Sequence, residues 1–283
     1  MIKPYAADDV FLAALNAPAS RDALRIAWLG QSGFLLECNT QRVLLDPYLS
    51  DSLTKKYAET QKPHVRMTAR VVAPERLTRI HLVTSSHTHT DHLDAETLKP
   101  LIAANPGIQM VIPEATRELV VQRIACEHRW PIGLDHLSSK KISGIQVHGI
   151  AAAHNELSID SRGQNLFLGY VLQFGSWTVY HSGDTLLHPD LVPALAGFTI
   201  DVAFLPINGN DPSRGVAGNL DGKEAVHLAQ EIGAKLVIPC HYEMFTFNTA
   251  DPNDLFIPCC HERSIRYEVM AAGQILELQP PRT

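Results

Sequence analysis

Residues 85–94 read SSHTHTDHLD and bring His87, His89, Asp91 and His92 within six consecutive positions. In an extended chain alternate side chains point the same way, so His87 and His89 can face one ion together. Asp91 and His92 come where the chain must turn into the next element, which lets them face a second position beside the first. Imidazole and carboxylate donors in this mixture suit zinc, manganese or iron, and the lack of nearby thiols speaks against a Cys-type structural site. A polar loop with chance histidines is the bland alternative, and four donors in so short a run weigh against it. Local donors cannot close such a site alone. His154 ends IQVHGIAAAH, Asp184 follows VYHSG beside a glycine that permits a tight turn, and His241 ends KLVIPCH. Singly, each would read as a structural group at a strand end. With the first cluster, they complete the donor set of a metal site.

Those donors need strands to carry them. The segments 25–29, 34–38 and 42–46 are short, apolar and separated by Gly-containing or polar pieces, and they predict an antiparallel group. Residues 80–85 predict a buried strand, followed by a helix over 94–105 with Asp94 as N-cap and Pro106-Gly107 as its stop. A strand at 109–113 and a helix at 114–125 repeat that order. In the second half, 145–153, 168–174 and 177–183 read as strands, and strands at 201–206 and 235–240 bracket a helix over 222–232. Ala225, Leu228, Ala229 and Ile232 give that helix one apolar face, and Gly233 is its C-cap. A last strand lies near 273–279. Pro131-Ile132-Gly133 and the Gly/Asn-rich stretch 207–220 read as surface loops. Strands followed by strand–helix alternation in each half, with no low-complexity linker, predict two sheets packed together with helices outside, in a single domain spanning 1–283. The first 24 or so residues are expected to form a helical extension.

Bulk properties narrow the function. The chain has 283 residues, 45% of them hydrophobic, and a net charge of −6, which disfavours nucleic acid as a partner. Five cysteines in irregular spacing suggest neither a disulfide framework nor a thiolate metal site. The start lacks a basic and then apolar leader pattern, and no apolar run reaches membrane-spanning length, so a cytoplasmic location is the expectation.

H-x-H-x-D-H with a spaced His, an Asp in SGD and a late His resembles the five-motif signature of metallo-β-lactamase-fold hydrolases. The resemblance runs from about Arg25 to Leu278, and it implies the αββα sandwich of that fold: two mixed β-sheets packed together, with helices on both outer faces. Within the superfamily the chain is most similar to the branch containing L-ascorbate-6-phosphate lactonase, through WLGQSGFLLE, LDPYL, YHSGDT, IDVAFLPING, SRG and AKLVIPCHYEMFTFNTADP. It departs from that enzyme at the third motif, where it has His154 in AAAHNE, and in ending soon after its last strand. Both differences bring it nearer to the generic metal-dependent hydrolases of the branch.

The resemblance implies one or two divalent ions per chain, Zn2+ or Mn2+ with Fe as a further option. His87, His89 and His154 would hold the first. Asp91, His92 and His241 would hold the second, with Asp184 bridging or leaning toward it. If one ion fills, Asp91 is free to act as general base. Asp46, in LLDP, resembles the aspartate that orients a ligand histidine through its other ring nitrogen. For substrate, Arg214 would pair with an anion, Asn208 and Asn210 would bind sugar-like hydroxyls, and Tyr242 would donate to a developing oxyanion. Arg162 and Lys223 are weaker candidates, His181 reads either as a residue supporting a ligand or, more in keeping with its place, as a polar strand end, and Cys240 reads as buried. The implied reaction is attack by a metal-activated hydroxide on a small substrate, a lactone or related ester. Phosphodiester hydrolysis is the alternative within the fold, and redox relatives typically carry Glu where His89 stands. A small-molecule partner, anionic if Arg214 pairs with it, and self-assembly as a homo-oligomer are the remaining expectations.

Overall fold

A computed structural model describes residues 1–280. The chain enters through a short helix, α1 (Asp8–Asn16), and then lays down β1 (Leu24–Gly30), β2 (Gly33–Cys38) and β3 (Gln41–Leu45) as an antiparallel meander. The helical part of the N-terminal extension is thus nine residues long. Two buried arginines hold it down. Arg25 donates to the carbonyls of Ala14, Leu15 and Ala17, and Arg42 donates to Leu15 O and Asn16 Oδ1, so both satisfy carbonyls at the C-terminal end of α1. Glu37, opposite both arginines in the strand register, pairs with each of them.

After α2 (Ser52–Lys56), β4 (Leu82–Thr84), α3 (Ala95–Ala104), β5 (Gln109–Pro113), α4 (Arg117–Ile124) and β6 (Ile132–Leu134) extend the sheet in parallel. The parallel steps require crossovers, which α3 and α4 supply. Asp94 caps α3 by accepting from Glu96 N. The stretch expected to be a surface loop at 131–133 is instead this edge strand. It is too short and too mixed to show a period, and it is held from outside by Arg117, which donates to Pro131 O and His128 O while paired with Glu114.

The second sheet forms from β7 (Ser139–Ile142), β8 (Ile145–Ala151), β9 (Leu168–Phe174) and β10 (Trp177–His181), all antiparallel. After α5 (Leu191–Leu195), β11 (Val202–Pro206) and β12 (Val237–Cys240) continue it in parallel around α6 (Gly222–Glu231). Asp221 and Glu224 form a capping box at the start of α6. Last come α7 (Phe256–Arg263) and β13 (Ile275–Leu278), and β13 returns to pair with β1 in the first sheet. The strand orders are β13-β1-β2-β3-β4-β5-β6 and β12-β11-β10-β9-β8-β7.

β1, β2, β10 and β11 are buried along nearly their whole length, which explains why they read as continuous apolar runs. The sheets meet face to face. Phe34 on β2 packs on Phe204 of β11 with ring centroids 4.3 Å apart, and Tyr170 Oη on β9 donates to Ser85 O just beyond β4 at 2.9 Å. The result is the αββα class expected from the sequence. Among the described residues no helix is long and apolar enough to cross a membrane.

Candidate metal centre

The expected ligands lie just past the C-terminal ends of strands: His87 beyond β4, His154 beyond β8, Asp184 beyond β10 and His241 directly after β12. β4 belongs to one sheet and the others to the second, so the site sits where the two sheets share an edge. Asp46 follows β3 and Gln31 follows β1 at the same end. Gln31, Asp46 and His241 have φ of 52°, 36° and 64°, in the left-handed region that costs L-residues on the order of 1–3 kcal/mol each. Gly183 also has positive φ, and a Cβ there would lie 2.6 Å from Ser86 Cβ, so SGD needs its glycine to bring Asp184 under the histidines.

The donors converge in three overlapping groups, each with ligand atoms within 4.8 Å of one another: His87, His89 and His154; His87, His92 and Asp184; Asp91, His92 and His241. Asp184, a member of the second group, also approaches the first and the third. Its Oδ1 is 3.3 Å from His92 Nε2, and its Oδ2 is 3.3 Å from His241 Nε2 and 3.7 Å from His154 Nε2. Asp91 Oδ2 is 3.7 Å from both His92 Nε2 and His241 Nε2. His87 Nε2, His92 Nε2 and Asp184 Oδ1 are fully buried with no hydrogen-bond partner. Buried polar atoms without partners cost free energy unless something else satisfies them. Lone pairs from imidazole and carboxylate, converging and otherwise unsatisfied, fit one or two divalent ions.

The ring nitrogens facing away are fixed. His92 Nδ1 donates to Asp46 Oδ2 at 2.8 Å and His154 Nδ1 donates to the carbonyl of Gly218 at 2.9 Å, which turns each Nε2 toward the centre. Burial lowers the His92 imidazole, but the Asp184 and Asp91 carboxylates outweigh it and hold the ring well above its ordinary value, so a bound cation would take the place of the Nε2 proton. Asp46 also accepts from Thr84 Oγ1, Ser86 N and Ser86 Oγ. Burial pushes the Asp46 carboxyl up, but the bond to His92 and the neighbouring imidazoles outweigh it and hold the group below its ordinary value. Asp184 behaves alike: burial opposes ionisation, and His92 and His241 hold the carboxyl well below the usual range. Burial drives His87 well below the ordinary imidazole value, so its ring is neutral and its lone pair is free.

One residue escaped the sequence reading. Gln31 is buried, and its Nε2 donates to Asp91 Oδ2 at 2.8 Å and lies 3.0 Å from His241 Nε2. The signal was present, because Gln31 interrupts the apolar run WLG…GF at a strand end, where a buried amide has no core function.

Above the ligands opens a cavity of about 580 Å³, reached by His89, Asp91, His154, Asp184 and His241. The expected substrate residues are placed elsewhere. Tyr242 Oη donates to Met270 O, and the ring stacks on Trp28 at 4.4 Å, so this buried hydroxyl faces away from the ligands. Arg214 Nη1 donates to Asn248 Oδ1 and its Nη2 to Asn208 O, while Asn208 bonds Asn248 and Asn219. Arg214 and Asn208 therefore brace the 207–220 loop behind the cavity wall, where Asn248 is the member that lines the cavity. The cations that do line the cavity are Lys56, Lys62 and Arg123. His181 donates toward Ser32 O from between the sheets and Cys240 is buried, both as expected of strand residues.

The profile of the Beta-lactamase superfamily domain matches residues 25–241, from the first strand to the last expected ligand. Among solved structures of this fold, the isothiocyanate hydrolase from Delia radicum gut bacteria has a TM-score of 0.69 at 18% identity, covering 89% of this chain and 98% of that one. Igni18, a metallo hydrolase from Ignicoccus hospitalis, has a TM-score of 0.65 at 19% identity, covering 91% and 99%. In sequence, a UPF0173 metal-dependent hydrolase of Pyrobaculum calidifontis is 30% identical over 256 residues, which is 90% of this chain and all of that protein. The chain belongs to the UPF0173 metal-dependent hydrolases of the beta-lactamase superfamily.

Proposed function

We propose that this metal-dependent hydrolase opens a lactone or related ester of a small molecule, in the manner of the L-ascorbate-6-phosphate lactonase branch it resembles. The observation that carries the reading is the set of unsatisfied atoms on His87, His92 and Asp184, converging with Asp91 on the floor of one cavity of small-molecule size.

His87, His89 and His154 would hold one ion, and Asp91, His92 and His241 a second, with Asp184 shared between them. When bound, a divalent metal of this kind lowers the pKa of water and polarises a carbonyl. Asp46 and the Gly218 carbonyl hold the Nδ1 sides of His92 and His154, so each Nε2 points at the ion it would bind. Asp91, held below its ordinary carboxylate value by His92 against the opposing effect of burial, is ionised at neutral pH, and Gln31 fixes its Oδ2. If Asp91 is not engaged as a ligand, it takes a proton from the attacking water and returns it to the leaving alkoxide. Water adds at the acyl carbon and the acyl–oxygen bond breaks, which gives one hydroxy acid from a lactone or an acid and an alcohol from an open ester. An anionic substituent would meet Lys56 and Lys62, which have no carboxylate in ion-pair range among the described residues, and not Arg214.

The test is a substrate panel on metal-loaded protein: glucono-δ-lactone, γ-butyrolactone, p-nitrophenyl esters, bis(p-nitrophenyl) phosphate and a thioester. Turnover of esters and lactones that exceeds the phosphodiester by about tenfold in kcat/KM, and that disappears in Asp184→Asn, supports the reading. Preferred cleavage of the phosphodiester overturns it.

A further inference from the structure

The segments 53–64 and 244–248 contribute nothing to the ligand set, yet they build most of the cavity's outer wall. Tyr48, Leu53, Met244 and Phe245 form an apolar cluster separate from the main core, with Tyr57 and Phe247 packed against it. His64 joins these rings together. It stacks on Tyr57 with centroids 4.2 Å apart and planes at 21°, and it meets Phe247 edge-on at 4.6 Å and Phe245 edge-on at 5.1 Å. Tyr57, His64, Phe245 and Phe247 all line the cavity, and Tyr57, His64 and Phe247 are only partly buried. The protein thus leaves a connected set of ring faces and edges in contact with water, directly above the ligands.

Ring surface of this kind gains most from a flat apolar group that displaces water and stacks or meets it edge-on. A polyhydroxylated substrate would need hydrogen-bond partners, and several of those lining the cavity are already engaged within the protein. Arg123 donates to Thr88 O and Leu93 O, Asn248 Oδ1 accepts from Asn208 and Arg214, and Lys62 donates to the carbonyls of Ser213 and Arg214. The sugar-like hydroxyls expected at Asn208 have no route to it, because that side chain is buried behind the wall.

We propose that Tyr57, His64 and Phe247, floored by Phe245, form a subsite for an aromatic ring of the substrate, so that this chain acts on aryl-bearing esters or lactones in preference to polyhydroxylated ones. The reaction class rests on the hydrolase reading above; the subsite itself does not, and the experiment separates the two.

Metal-loaded protein is titrated calorimetrically with phenylacetate, acetate and gluconate, which share a carboxylate and differ in what it carries. Phenylacetate is expected to bind about tenfold more tightly than acetate or gluconate, and this ring increment falls to within about threefold in Tyr57→Ala and Phe247→Ala. Phe247→Leu, which keeps apolar volume, gives an intermediate value and guards against a variant that merely misfolds, with Tm checked for each. In parallel, the kcat/KM ratio for benzyl acetate over ethyl acetate is expected to fall by a similar factor in Phe247→Ala. Equal binding of phenylacetate and acetate, or a ring increment that survives both alanine variants, overturns the subsite even if esters are hydrolysed. A ring increment lost in the variants with no ester turnover at all sustains the subsite and removes the ester reading instead.

Discussion

Asp184 has one oxygen 3.3 Å from His92 Nε2 and the other 3.3 Å from His241 Nε2, which makes it the residue on which both halves of the donor set depend. Asp184→Asn keeps the shape and removes the charge, so metal content measured by mass spectrometry should fall to less than one ion per chain, with hydrolysis lost. Gln31 tests something different, because it touches ligands without being one of the expected donors. Gln31→Ala should retain metal while lowering kcat on the order of 10- to 100-fold, the range typical of groups that orient ligands. Unchanged kcat would show that Asp91 needs no help in holding its orientation. The histidine-rich run declared itself in the sequence, since imidazoles at alternate positions beyond a strand have few other uses. Gln31 shows in the sequence only as a polar residue that breaks an apolar run, because its partners Asp91 and His241 are 60 and 210 positions away.

At the level of elements, most strands were legible because buried strands leave unbroken apolar runs, α3 because its cap is written in Asp94, and α6 because Ala225, Leu228, Ala229 and Ile232 share one face. β6 was not, and its support comes from outside itself. A Cβ at Gly133 would overlap the Glu114 carboxylate that pairs with Arg117. Gly133→Ala should therefore push that carboxylate aside and weaken the pair; because only the ends of two partly exposed side chains must move, the cost should stay within about 1 kcal/mol, read as a small fall in the urea midpoint. The same pair has a pH signature. Its hydrogen bond to Arg117 holds Glu114 below its ordinary value of 4.5, so the unfolded chain takes up that proton first as pH falls. The stabilisation is complete above about pH 4.5 and is lost as pH drops through the lowered folded value. Urea midpoints between pH 6 and 3 should fall more gradually in Glu114→Gln than in the parent protein.

For the whole molecule, the metal centre lies at the common edge of two sheets, so ions held there tie together strands from both halves of the chain. Removing them with a chelator should abolish hydrolysis and lower Tm, and a metal present at about 1,000 times its Kd would stabilise the fold by roughly 4 kcal/mol. Re-addition of zinc, manganese or iron one at a time, followed by scanning calorimetry, then ranks the metals, and a Tm indifferent to chelation would argue against a site that bridges the sheets. The sequence by itself determined the donor types, the strand ends that carry them and the αββα class, because these follow from local spacing, local caps and runs of apolar residues. Only the tertiary structure decided that β13 crosses back to β1, that Lys62 and not Arg214 lines the cavity, and that four rings from two distant segments stand above the ligands. The reason is physical. Whether an arginine faces a substrate or braces a loop depends on which acceptors the fold brings within 3 Å of it, and those acceptors, Asn208 and Asn248, reach Arg214 only when the loop beyond β11 closes against the turn beyond β12.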